Sequence, residues 1–282
     1  MIKAIQIGYN SLFECKCKCA AEGGFKHIAV NYTEILGKNE DEWDAITDDI
    51  ARILDENKLC AVQSHPHYYD LRLSSEIRSE ELDFAMRQSI ISSAKLGAKY
   101  CVFHPRSSIN SGYLRSRSFE DNLAWFSELV ECAAKHGTMI AVENIPVFGT
   151  QGRKMPLYSS NVEELCEIVD ALGNDNAVIC WDFGHANLMH YEQDVAISYL
   201  GKRIACTHIH NNFGTDDTHS TPDCGNIKWD KAMTALAATG YNGPLTLETH
   251  CLYPEEGMLR DFARFNFGCL EYLERLGWPT TV

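Results

Sequence analysis

No run of the 282-residue chain approaches the roughly eighteen consecutive apolar residues of a membrane-spanning helix, which argues against a helical span. The opening residues, MIKAIQIGYN, lack the long apolar region and small-residue cleavage site of a secretion signal, so the expectation is a cytoplasmic protein. The twelve cysteines include no C-x-x-C pair, and the CKCKC run at Cys15, Cys17 and Cys19 does not have zinc-motif or redox spacing. Free thiols are expected, with Cys60, Cys101, Cys180 and Cys206 packed as small apolar residues inside hydrophobic runs. Basic residues are in the minority, 25 Lys and Arg against 39 Asp and Glu, for a net charge of −14. That balance speaks against a general nucleic-acid-binding surface. No linker, repeat of low complexity or shift in composition divides the chain, so one domain over residues 1–282 is expected.

What the chain does have is a recurring unit. Apolar, β-branched runs appear at 3–8, 27–31, 59–65, 100–104, 138–143, 177–182, 204–210 and 244–250. Between several of them lie segments of helical period ending in glycine, at 79–97, 118–137, 158–173 and 228–240. Strands apolar on both faces, alternating with helices, describe a parallel sheet covered by helices. Eight such units in a chain of this length predict a single (β/α)8 barrel. The rival, an open doubly wound sheet, usually carries a glycine-rich loop after its first strand, and IGYNSLF is not one.

A barrel gathers its chemistry at the C-terminal ends of its strands. Strand three ends in His65, strand four in His104 and strand five in Glu143. Strand six ends in Asp182, followed by His185 in CWDFGH, and strand seven ends in His208 and His210, with DDTH (216–219) in its loop. Strand eight ends in Glu248. Singly, each has an ordinary explanation: a histidine at a strand end is usually a packed core residue, and a lone glutamate can pair with an arginine or cap a helix. Jointly, carboxylates and imidazoles converging on one mouth would repel one another or stay unsatisfied without a cation. Mixed nitrogen and oxygen donors suit zinc, manganese or iron better than calcium or magnesium.

With SHPHYYD, VFHP, AVENIP, CWDFGH, THIHNN, DTH, CGNIKW and LTLETH in order, the chain resembles the xylose-isomerase-like barrel superfamily, in which sugar isomerases and epimerases stand beside endonuclease IV. The resemblance implies a divalent-metal-dependent sugar isomerase or epimerase acting on a small-molecule sugar or sugar phosphate. It implies one zinc or manganese ion held by Glu143, Asp182, His208 and Glu248. Glu143 and Glu248 would also pass the substrate's proton through an enediolate, with His185 polarising a substrate oxygen. The endonuclease branch implies additional metal ligands, for which this chain offers His65, His104, His185, Asp217 and His219. Asp217 is preferred to Asp216 because Asp217-Thr218-His219 keeps that branch's Asp-x-His spacing. Asn211 and Phe183-Gly184 depart from the endonuclease pattern and lean toward sugar chemistry.

The alternative activity is a zinc-dependent phosphodiesterase cutting DNA at abasic sites. The net charge opposes it, and LRSRSF (114–119) is the one compact basic run. Arg106, Arg153 and Lys228 are candidates to bind a sugar phosphate, and Tyr68, Phe148 and Trp181 to wall a sugar's C–H face. His67, His190, His210 and His250 adjoin the proposed ligands as candidate orienting donors. Barrels of this type often form homo-oligomers, although no segment here demands it.

Overall fold

In the computed structural model the apolar runs become parallel strands that close into an eight-stranded barrel. The structure describes residues 1–32, 35–73, 80–108, 113–146, 148–150, 153–155 and 157–279. The barrel strands are β1 (Lys3–Gly8), β2 (His27–Asn31), β3 (Cys60–His65), β4 (Tyr100–Phe103), β5 (Met139–Glu143), β6 (Ala177–Asp182), β7 (Ile204–Ile209) and β8 (Leu245–Leu247). Each pairs with its neighbours in chain order, and β8 closes on β1. Around them run α1 (Phe13–Gly23), α2 (Glu40–Glu56), α3 (Glu80–Lys95), α4 (Arg115–His136), α5 (Val162–Leu172), α6 (Phe183–Leu188), α7 (Gln193–Leu200), α8 (Trp229–Ala238) and α9 (Glu256–Gly277). Outside the barrel, among the described residues, Arg72–Leu73 pairs with Ser107–Ser108, Phe148–Thr150 with Arg153–Met155, and Asn211 bridges to Ser220.

Strand alternation sorts the side chains. One set, including Ile28, Val30, Phe103, Ile140, Val142, Ile179, Trp181 and Leu247, belongs to the main buried core. The opposite set forms a separate buried cluster of Tyr100, Val102, Ala141, Cys180 and Cys206. Two residues beyond Val102, Ala141, Cys180 and Cys206 come His104, Glu143, Asp182 and His208. With a period of two, these polar groups share the inner face and cap the apolar interior at the strands' C-terminal ends. Register sets them side by side: Asp182 is opposite His208, and His208 is opposite Thr246.

The predicted strand over 244–250 is shorter, Leu245–Leu247, although the Glu248 amide still donates to the Ile209 carbonyl at 3.0 Å. The basic run forms the first turn of α4, where Arg115 pairs with Glu164 and Glu167 and Arg117 with Asp121, so it presents no free basic patch. Cys15, Cys17 and Cys19 fall on α1, and burial raises the Cys19 thiol to about 11, keeping it protonated. All twelve cysteines are free thiols. Among the described residues no helix is long and apolar enough to cross a membrane.

Two local features hold the helical ring. At the start of α2 the Asn39 side chain accepts from the Glu42 amide at 3.0 Å, and Glu42 accepts from the Asn39 amide at 2.9 Å, a reciprocal cap. Where α1 meets α9, a Cβ on Gly23 would lie 2.8 Å from Ala263 Cβ and 2.9 Å from the Arg264 amide nitrogen, so only glycine permits the approach. Asn39→Ala is expected to lower the unfolding free energy by about 1 kcal/mol, and Gly23→Ala by about 1–3 kcal/mol. Urea titration checks both, and an unchanged midpoint for Gly23→Ala would contradict the close packing.

Candidate active site

The polar residues predicted at the strand ends meet in one cluster. Glu143, buried at the end of β5, stands at its centre. One of its oxygens is 3.0 Å from His104 Nε2, and the other lies 3.1 Å from His208 Nδ1 and 3.3 Å from His185 Nδ1. Glu248 Oε2 reaches the same His208 Nδ1 at 3.0 Å. Its other oxygen accepts from Gln6 Nε2 at 2.7 Å, which fixes the carboxylate against β1. His65 Nδ1 donates to the Pro66 carbonyl at 3.2 Å, turning Nε2 toward His104 Nε2 at 3.2 Å.

Asp182 is positioned from two sides. Its backbone is clasped by Asn144, whose side-chain oxygen accepts from the Asp182 amide at 2.7 Å while its Nδ2 donates to the Asp182 carbonyl at 2.9 Å. Its own carboxylate caps α6, accepting from the His185 amide at 2.6 Å. That cap fixes His185 three residues on, where Nδ1 donates to the Asn144 carbonyl at 2.9 Å and Nε2 lies 3.3 Å from Asp217. His219, in the left-handed region at φ 45°, donates from Nδ1 to the Glu248 carbonyl at 2.9 Å and places Nε2 3.3 Å from Asp217.

Electrostatics show the strain of this assembly. Burial disfavours charge on His208 and His185, yet the carboxylates around each hold its pKa well above the ordinary histidine range. Burial would raise Glu143, but His208 and His104 hold it well below the usual carboxylate range. Burial opposes charge on His219 too, but Asp217 and Glu248 carry it up to about 9. His65 goes the other way, pushed down to about 4 by burial and then by His104. Compensation among the side chains is incomplete. Asp182 Oδ2, His208 Nε2 and both ring nitrogens of His210 are buried with no hydrogen-bond partner among the described residues. Orphaned groups of this kind cost about 1–3 kcal/mol each unless something else satisfies them.

A cation fits that arrangement. Glu143, Asp182, His208 and Glu248 each bring one donor atom within 4.8 Å of the others. The same spacing joins His65, His104 and Glu143, and separately His185, His210, Asp217 and His219. All four sequence-predicted principal ligands are therefore together, and the additional candidates flank them on both sides. Asp217 faces the cluster, 3.3 Å from Nε2 of both His185 and His219.

The profile of the xylose isomerase-like TIM barrel matches residues 17–266. The chain belongs to the xylose isomerase-like TIM barrel family. Among relatives by sequence, the protein MJ1311 of Methanocaldococcus jannaschii is 30% identical over 193 residues, 67% of this chain and 61% of that protein. The inosose isomerase of Bacillus velezensis is 27% identical over 160 residues, 54% of each chain. The chain thus spans less than two thirds of the length of these relatives. Among solved structures, IolI with a bound zinc atom superposes with a TM-score of 0.77 at 16% identity, covering 98% of this chain and 99% of that one. The D-allulose 3-epimerase of Methylomonas sp. gives 0.76 at 16% identity over 96% and 98% of the two chains. At that identity the likeness speaks for the fold.

In this xylose isomerase-like barrel several sequence candidates fall elsewhere. Arg106 is 2% exposed, with its guanidinium over the rings of Tyr69 and Trp125, and is not open to a phosphate. Trp181 is fully buried in the core, its Nε1 donating to Gln193, because strand alternation turns it away from the mouth. Lys228 is exposed at the start of α8. The side chains of Phe148 and Arg153 lie outside the described residues. Gln6 and Asn144 were missed. Gln6 carried a signal, a polar residue within an apolar first strand. A cavity of about 280 Å³ opens beside Glu248, its wall including Gln6, Asn10, Lys16, Asn31 and His250.

Because Asn144 makes two buried hydrogen bonds across the strand ends, Asn144→Ala is expected to lower the unfolding free energy by about 2–4 kcal/mol in urea. A loss below about 0.5 kcal/mol, the size of an ordinary surface substitution, would contradict the clasp.

Proposed function

We propose that this chain is a divalent-metal-dependent sugar isomerase or epimerase. The observation that carries the reading is the convergence of Glu143, Asp182, His208 and Glu248, with one buried Asp182 oxygen lacking a hydrogen-bond partner among the described residues. These four residues would hold the metal. The zinc in IolI supports zinc, and the mixed donor set suits manganese equally. When bound, such an ion supplies Lewis acidity to the substrate's carbonyl oxygen.

The chain's own residues do the rest. Glu143 on β5 and Glu248 beyond β8 converge on His208, 3.1 Å and 3.0 Å from its Nδ1. One glutamate takes the proton from the carbon next to the carbonyl. The other returns it, to the opposite face for epimerisation or to the neighbouring carbon for isomerisation. Gln6 holds Glu248 in place through its 2.7 Å hydrogen bond. The cavity beside Glu248, walled by polar and apolar groups alike, suits the hydroxyls and C–H face of a free sugar, and Lys16 in its wall suits a phosphorylated one. His185 directs Nε2 toward Asp217, so we place it in the second donor group instead of on a substrate oxygen. Inosose isomerase and D-allulose 3-epimerase among the relatives and fold neighbours support small polyhydroxylated carbonyl compounds as substrates.

A phosphodiesterase acting on abasic DNA is the second reading, favoured by the donor groups on either side of the principal one. The net charge of −14 and the paired arginines of α4 oppose it.

Proton NMR in deuterium oxide, with zinc- or manganese-loaded protein, tests the choice across ketohexoses, their phosphates and inosose. The expected result is exchange of one substrate C–H with solvent, slowed by about 10²–10⁴-fold in Glu143→Gln and in Glu248→Gln. Cleavage of abasic DNA without exchange on any sugar would overturn the proposal in favour of its rival.

A further inference from the structure

Helix α9 packs between α1 and α8 and buries Leu259, Ala263, Asn266, Leu270 and Leu273 on its inner face. The outer face is bare. Leu252, Tyr253, Met258, Phe265 and Tyr272 are large apolar side chains exposed to solvent, and all five lie on α9 or in the loop that leads into it. Phe265 and Tyr272 also wall a groove of about 630 Å³, whose other side includes Pro222 and Ile227 in the loop after β7 and Trp229 at the start of α8. Exposed apolar surface gathered in this way marks an interaction site.

Beside the apolar row runs a charged one. Asp261, Arg264, Gly268, Glu271 and Arg275 are all exposed, and their alternating spacing of three and four keeps them in a straight line along the helix. Arg264 reaches Asp261 at 3.5 Å, while Glu271 and Arg275 have no ion pair among the described residues. Gly268 has no explanation in the chain's own packing. A Cβ there would meet nothing within 4 Å, whereas one on Gly23 would strike Ala263. Glycine in mid-helix weakens the helix, so its place here points to a close approach from outside the chain.

The row is complementary to its own reverse. Turned end for end about Gly268, Asp261 falls opposite Arg275, Arg264 falls opposite Glu271, and Gly268 falls opposite itself. A two-fold axis perpendicular to α9 keeps the apolar row on the same side of both helices, which sets Phe265 against Tyr272 twice over.

We infer that the outer face of α9 is a dimerisation surface, and that its partner is a second copy of this chain packed antiparallel about Gly268. Each protomer gives Arg264 to the other's Glu271 and Asp261 to the other's Arg275. The glycines let the helix axes approach at the crossing. The outermost pairs lie about 10 Å from that crossing at 1.5 Å per residue, so the helices cross at a shallow angle of about 20°. The rings of Phe265 and Tyr272 bury against one another beside the groove and supply the apolar part of the contact.

Sedimentation equilibrium on the full chain tests this. Wild-type protein is expected to show twice the mass of one chain at about 50 µM, well above the dissociation constant of a standard-sized interface. Glu271→Arg sets two arginines against each other at both symmetry-related contacts, and is expected to weaken the dimer about tenfold or more. Adding Arg264→Glu exchanges the charges of the pair and is expected to restore it. Within one chain positions 264 and 271 stand two turns apart, about 10 Å, so that recovery reports contact between chains. Gly268→Gln is expected to weaken the dimer as strongly by blocking the crossing, with the helical circular dichroism of the chain retained. A monomer at about 50 µM overturns the inference and leaves the face to a partner of other sequence. A dimer unchanged in both Glu271→Arg and Gly268→Gln overturns it too, as does a Glu271→Arg defect that Arg264→Glu does not reverse.

Discussion

Everything at the mouth of this barrel answers to one constraint: carboxylates and imidazoles buried side by side must be neutralised locally. Glu143 and Asp182 are fully buried, as are His208 and His210. Opposed titration of acids against histidines meets part of the demand, and it is why the cluster's pKa values diverge so far from their ordinary range. It leaves Asp182 Oδ2 and three ring nitrogens without partners. A cation satisfies acid oxygens and imidazole lone pairs at once, which proton sharing between side chains does not.

The fold serves that constraint through strand alternation. Small apolar residues, Ala141, Cys180 and Cys206, fill the interior, and the next inward positions on the same strands are Glu143, Asp182 and His208. A shift of one residue in any of these strands would turn its terminal polar side chain into the helical ring. Precision then comes from short local devices. Asn144 clasps the end of β6, the Asp182 carboxylate caps α6, and Gln6 pins Glu248. Gly184, by having no side chain, lets β7 bring His210 inward beside α6.

Much of this was legible in the sequence because parallel barrel strands are buried on both faces. Their continuous apolar runs make a terminal Glu143, Asp182 or His208 conspicuous, and the alternation fixes which way each faces. The resemblance supplied the remaining donor candidates, including Asp217 over Asp216. Less legible were interactions that join distant segments. Asn144 reads as an ordinary loop residue until its side chain is seen on Asp182. Arg106 reads as a surface cation, yet the aromatic rings of Tyr69 and Trp125 enclose it. His210 reads as a supporting histidine, because its inward position depends on the missing side chain of Gly184, on α6 at the end of the neighbouring strand β6. Trp181 was placed at the mouth by its proximity in sequence to Asp182, though adjacent residues on a strand face opposite sides.

Elemental analysis of protein purified without added metal tests the central claim most directly. The account predicts at least about one equivalent of zinc or manganese per chain, retained through gel filtration and restored after chelation. Less than about a tenth of an equivalent, with none regained from either metal, would contradict it, because the four converging donors would then hold no cation.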